Sequence, residues 1–116
     1  MITESHSNNK IDMYFRAAIK LVGQRLFLTV DEPPKVEIDG VRRPMNRPPI
    51  DVAEMESLVL PILSESEIAQ LNRDGNLKFI RWVEIDGNKH MFNVEVSIES
   101  RNISLVAVPG FDPDIA

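Results

Sequence analysis

Cysteine is absent from this sequence, which excludes disulfides, thiolate metal sites and a cysteine nucleophile. Long hydrophobic runs are missing too. No stretch approaches the roughly 20 consecutive apolar residues that span a bilayer, so direct membrane insertion is not expected. The opening "MITESHSNNK" has neither the basic start nor the apolar run of an export signal, and the cytoplasm is the expected compartment. Histidine is scarce as well: His6 lies in the polar start, leaving His90 without a second histidine for a metal or an obvious catalytic neighbour. Basic charge is also in deficit. A net charge of −5 argues against a general nucleic-acid surface, which needs concentrated Lys and Arg. Finally, there is no G-x-x-x-x-G-K-[ST] phosphate loop.

What is present fits one domain. A chain of 116 residues with 43% hydrophobic content is long enough for a single core. Residues 1–10 read as a disordered polar tail, 11–109 as the domain, and 110–116 as a linker or tail. From Ile11 onward, Ile11, Tyr14, Phe15, Ala18, Ile19 and Val22 fall on the stripe of an amphipathic helix that should stop at Gly23. "RLFLTV" reads as a buried strand closed by the turn "DEPP", where Pro33 and Pro34 forbid a continuing helix.

The segment "VEIDG" occurs twice, at Val36 to Gly40 and at Val83 to Gly87. In "KVEIDGVRR", Val36, Ile38 and Val41 alternate with polar neighbours, and Asp39-Gly40 is a strong hairpin signal because tight turns between strands need positive φ. Asp86-Gly87 has the same role between "LKFIRWVEI" and a strand carrying Phe92, Val94, Val96 and Ile98. Two features disturb that first strand: Arg81 interrupts the apolar parity, and Ile80 and Trp82 lie on the other one. Trp82 is expected to be covered on a second buried face. "NISLVAVP" supplies a last strand ending at Pro109.

Between the hairpins, Val52, Met55, Val59 and Ile62 mark a helix with Asp51 as N-cap and Pro61 in its final turn. Ser64 and Glu67 have capping-box spacing for another, ended by Gly75. The expected fold is therefore α+β, with helices packed on a mostly antiparallel sheet in the order α-β-β-β-α-α-β-β-β.

Chemistry is hard to place in this pattern. Asp39 and Asp86, with Glu37 and Glu84, would hold a hard cation only if the two turns met, and neither has the ligand spacing of a calcium loop. Ser64 and Ser66 sit in capping context without a base. No cofactor and no catalytic or metal-binding residue is expected. Arg42, Arg43 and Arg47, interleaved with prolines, form the one basic cluster and are candidates with Trp82 for a protein-interaction surface.

In order and spacing, Leu26-Phe27-Leu28, Pro33-Pro34, Glu37-Ile38-Asp39-Gly40, the helix pair and the terminal Val108-Pro109 resemble the N-terminal domain of the PilT/PilB-type ATPases of type IV pili and type II secretion. The resemblance spans most of residues 11–109. It implies a PAS-like domain beside a separate RecA-like motor in a hexamer. The sequence departs from the family pattern at Gly23-Gln24-Arg25, Phe27, Glu37, "HMFNVEV" and Val106, so the scaffold carries over more readily than the family's polar contacts. The implied role is a non-catalytic accessory interaction domain that docks to a motor domain, a neighbouring subunit or a pilus or secretion component, with oligomerisation compatible with it. The alternative is a PAS-like sensory module with a small ligand held between sheet and helices.

Overall fold

The computed structural model describes residues 9–110. The expected tail at 1–10 therefore falls outside the described residues except for Asn9 and Lys10, and the expected linker at 110–116 except for Gly110. Helix α1 (Asp12–Lys20) is followed by β1 (Arg25–Thr29), β2 (Lys35–Ile38) and β3 (Val41–Pro44). Next come α2 (Val52–Val59), a 3-10 turn at Leu60–Ile62 and α3 (Glu65–Asp74), and then β4 (Asn76–Ile85), β5 (Asn88–Glu99) and β6 (Asn102–Pro109). The element order is the one the sequence implies.

Local chemistry sets most of these boundaries. Asp51 accepts from the Glu54 amide at 2.7 Å and starts α2. Ser64 and Glu67 form a complete capping box at α3, which ends at Gly75 with φ of 81°. Helix α1 ends differently from expectation. Val22, assigned to the apolar stripe, is 80% exposed and adopts φ of 55°. The Gly23 amide donates to the Ala18 carbonyl at 2.8 Å and the Val22 amide to Ile19 at 3.0 Å, the paired bonds of a Schellman closure. A valine therefore holds the left-handed position, while Gly23 serves another need. A Cβ there would run into Cγ2 of Val36. In α2 likewise, Val52 is exposed and the buried stripe is Met55, Leu58 and Val59.

The six strands form one antiparallel sheet in the order β3-β2-β1-β6-β5-β4. Both "VEIDG" copies close hairpins. Asp39 and Gly40 have φ of 54° and 78°, and Asp86 and Gly87 have 53° and 85°, the doubly positive pattern of a type I′ turn. A third such turn, Ser100-Arg101 at 51° and 71°, joins β5 to β6 without any glycine. Pairing of β1 with β6 joins the two halves of the open sheet, with Leu26 opposite Ala107 and Leu28 opposite Leu105.

One sheet face carries the core. Leu26, Leu28, Val36, Val94, Val96 and Leu105 pack there against Phe15 of α1, Met55 and Leu58 of α2, and Leu71 of α3. The Phe15 and Phe92 rings meet at 4.7 Å with a 56° tilt, within the favoured range for aromatic pairs. Burial of these side chains is the main stabilising term, at about 1.5–3 kcal/mol for each large apolar group. Among the described residues, no helix is long and apolar enough to cross a membrane.

Candidate interaction surface

The helices cover one face of the sheet, and among the described residues nothing packs over the other. An antiparallel sheet in that position normally alternates apolar inward with polar outward. Strand β4 obeys on the inner side, where Leu77, Val83 and Ile85 are buried and Phe79 packs against the core. Arg81 shares that side. What looked like an interruption in the sequence is a buried contact: its guanidinium reaches Asp12, which is only 1% exposed.

The outward side of β4 breaks the rule. Ile80 and Trp82 are neighbours there, flanked by Lys78 and Glu84, and they are 46% and 60% exposed. Trp82 is therefore not covered by a second layer, contrary to the expectation from its parity. Among the described residues no helix packs on that face, because α1, α2 and α3 all approach from the side of Phe15 and Phe92. Cross-strand pairing brings Met91 opposite Trp82, Asn93 opposite both Ile80 and Val108, and Glu95 opposite both Lys78 and Val106. An open groove of about 540 Å³ runs over this region, lined by Lys78, Ile80, Asn93, Glu95, Val106 and Val108, among others. Val108 is itself 38% exposed. Ile80, Trp82 and Met91 group on one side of Asn93 and Glu95, and Val106 and Val108 on the other; grouped exposed apolar side chains of this kind are a feature of contact surfaces.

The arginines anticipated as one cluster are divided. Arg42 lies over the Phe27 ring at 4.0 Å on the outer face, extending the apolar strip toward β3 with a cation. Arg47 turns to the helix side, 5.6 Å from the Tyr14 ring centre and 3.5 Å from the Met13 sulfur. Arg43 is exposed on the edge strand. Burial pushes the Tyr14 phenol above its ordinary pKa, and the nearby Glu54 carboxylate adds to the rise while Arg47 opposes it.

The remaining sequence candidates do not converge. Asp39-Gly40 and Asp86-Gly87 lie in hairpins at opposite ends of the strand order, so their carboxylates are not brought together. Among the described residues, no group of three His, Cys, Asp or Glu side chains is arranged to hold a metal ion. Ser64 is engaged in its helix cap, within 3.1 Å of Ser66. Ile80, Met91, Val106 and Val108 were not named as interaction residues from sequence, although the alternation of β4 carried a signal, since two large apolar residues occupied the solvent parity.

The geometry defines an α+β domain that presents a partly apolar sheet face. No family model matches the chain, and no curated protein sequence does either. Solved structures do. The pilus retraction motor PilT, crystallised with ADP, superimposes with a TM-score of 0.73 at 20% identity, covering 90% of this chain and 29% of that one. The ATPase DotB of Legionella pneumophila gives 0.71 at 14% identity, covering 85% and 28%. DotB of Yersinia pseudotuberculosis gives 0.70 at 12% identity, covering 97% and 35%. The chain thus shares its fold with about a third of these ATPases, and the resemblance read from Leu26 through Pro109 is borne out at the level of fold.

Proposed function

We propose that the domain at 11–109 is a non-catalytic, PAS-like interaction module of the kind found in PilT-type ATPases, which docks through its outer sheet face to a RecA-like motor domain. The observation that carries this reading is the exposure of Ile80, Trp82 and Val108 on the sheet face opposite the one that packs the core. Burying such groups favours association, and the charged rim of Lys78, Glu95 and Arg42 would fix orientation. The inward positions are filled by packed apolar side chains, which favours docking over a ligand held between sheet and helices.

Trp82 is the single tryptophan of the chain and lies within the strip, so its fluorescence reports on that surface. Titration with the isolated motor domain of a PilT-type ATPase from the same genome should shift its emission to shorter wavelength and saturate. Trp82→Phe with Ile80→Ser should weaken binding, measured calorimetrically, while leaving the melting temperature nearly unchanged. An emission spectrum that does not respond to the motor domain, together with no measurable heat of binding, would remove this reading.

A further inference from the structure

Among the described residues no strand pairs with the outer edge of β4, and the chemistry of that edge is self-complementary. It is the terminal strand of the sheet and runs for 10 residues, long for an edge strand. Ile85 and Asn88 flank a two-residue turn and pair with each other, so the ladder to β5 uses the peptide groups of Ile85, Val83, Arg81, Phe79 and Leu77. The peptide groups of Glu84, Trp82, Ile80 and Lys78 therefore point away from the sheet. The Glu84 carbonyl confirms the direction by accepting from Nε of Arg16 at 3.2 Å, a side chain that reaches the edge from α1.

We infer that this edge pairs with β4 of a second copy, antiparallel and centred on Arg81. About a two-fold axis at Arg81, Lys78 falls opposite Glu84 of the second copy and Ile80 opposite its Trp82. The outward peptide groups of these same residues then complete ladder bonds in both directions. Both relations repeat on the other side of the axis, as an isologous contact requires. Opposite charges and apolar groups directly across a strand pair are both favourable. On the helix side, Phe79 meets Val83 and Leu77 meets Ile85 of the second copy. The two Arg81 side chains meet at the axis, but each is neutralised by its own Asp12, so the like-charge cost is screened at short range. Arg16 gives up its bond to Glu84, which the Lys78 amide of the second copy replaces. The product is one continuous sheet with both helix layers on the same side. Its outer face carries Ile80 and Trp82 of the two copies together. This contact differs from the motor-docking reading in its partner, a second copy of this chain, and in the strand-edge hydrogen bonds that hold it, while Ile80 and Trp82 take part in both.

Sedimentation equilibrium of the whole chain over a concentration series tests it. A monomer–dimer equilibrium is expected. Lys78→Glu should weaken the dimer roughly tenfold or more by placing like charges opposite each other twice, and Lys78→Glu with Glu84→Lys should restore it. Ile80→Pro removes an amide that the β5 ladder does not use, so that variant should melt as a folded domain yet sediment as a monomer. A wild-type chain that stays monomeric up to millimolar concentration overturns the inference. A dimer that ignores both Lys78→Glu and Ile80→Pro overturns it equally, since the contact must then lie elsewhere.

Discussion

Arg81 and Asp12 form a two-pronged ion pair, with Nε to Oδ1 at 2.9 Å and Nη2 to Oδ2 at 3.0 Å, that ties β4 to the first turn of α1. The same guanidinium donates to Oδ1 of Asn9 at 3.1 Å, so the start of α1 and its lead-in share one cation. A buried charge without its partner keeps the full desolvation cost. Asp12→Ala or Arg81→Ala should therefore each lower stability by about 3–5 kcal/mol in urea titrations. Asp12→Leu with Arg81→Met, which removes both charges and keeps volume, should lose far less. Equal losses in the single and double variants would mean that packing, not the pair, sets the cost.

Val22 occupies the left-handed closing position of α1 with φ of 55°. A β-branched side chain is strained there, by an amount of order 1–2 kcal/mol. Replacement by glycine relieves that strain and adds unfolded-state entropy, leaving a net gain of about 0.5–1 kcal/mol. The side chain is exposed, so little packing is lost. A rise in melting temperature for Val22→Gly checks this, and a fall would show that the valine is held by contacts rather than tolerated.

The Ser100-Arg101 turn is held in a conformation that Asn-Gly adopts most readily. Ser100→Asn with Arg101→Gly should stabilise the β5–β6 hairpin by about 0.5–1 kcal/mol. The reverse experiment belongs to the other two turns. Among the described residues nothing lies within 4 Å of a Cβ built on Gly40 or Gly87, so Gly→Val at either place should meet chiefly the backbone penalty, about 1–2 kcal/mol. Unchanged melting in both valine variants would contradict the turn assignment.

Tyr14 should give the domain a pH dependence in the alkaline range. Its folded pKa is raised, chiefly by burial, so the neutral phenol is the form that the fold prefers. That contribution is complete below the unfolded tyrosine pKa of about 10 and is lost as pH rises from there through the folded value. Tyr14→Phe should flatten this part of the stability–pH curve between about pH 9 and 11 when compared with wild type by chemical denaturation. Parallel curves for the two proteins would rule out Tyr14 as the source.

Sequence by itself determined the elements and their ends. Asp51, the Ser64–Glu67 box, Gly75 and the two Asp-Gly turns act over a few residues, and their backbone requirements are written in those residues alone. Hairpin neighbours follow from such turns, so β2–β3 and β4–β5 were legible. The Ser100-Arg101 turn left no such mark, because neither residue is one that positive φ selects. Pairing of β1 with β6 was decided only in three dimensions, since strands far apart in the chain carry no local signal of each other. The same holds for side: an alternating strand states which residues share a face, not whether a helix will cover it. Arg81 broke the apolar parity of β4 until Asp12, 69 positions away, was brought beside it. Trp82 looked coverable until the helices all settled on the opposite face. Local backbone preference fixed what each segment is, and the competition for one buried face settled which side chains remained available to a partner.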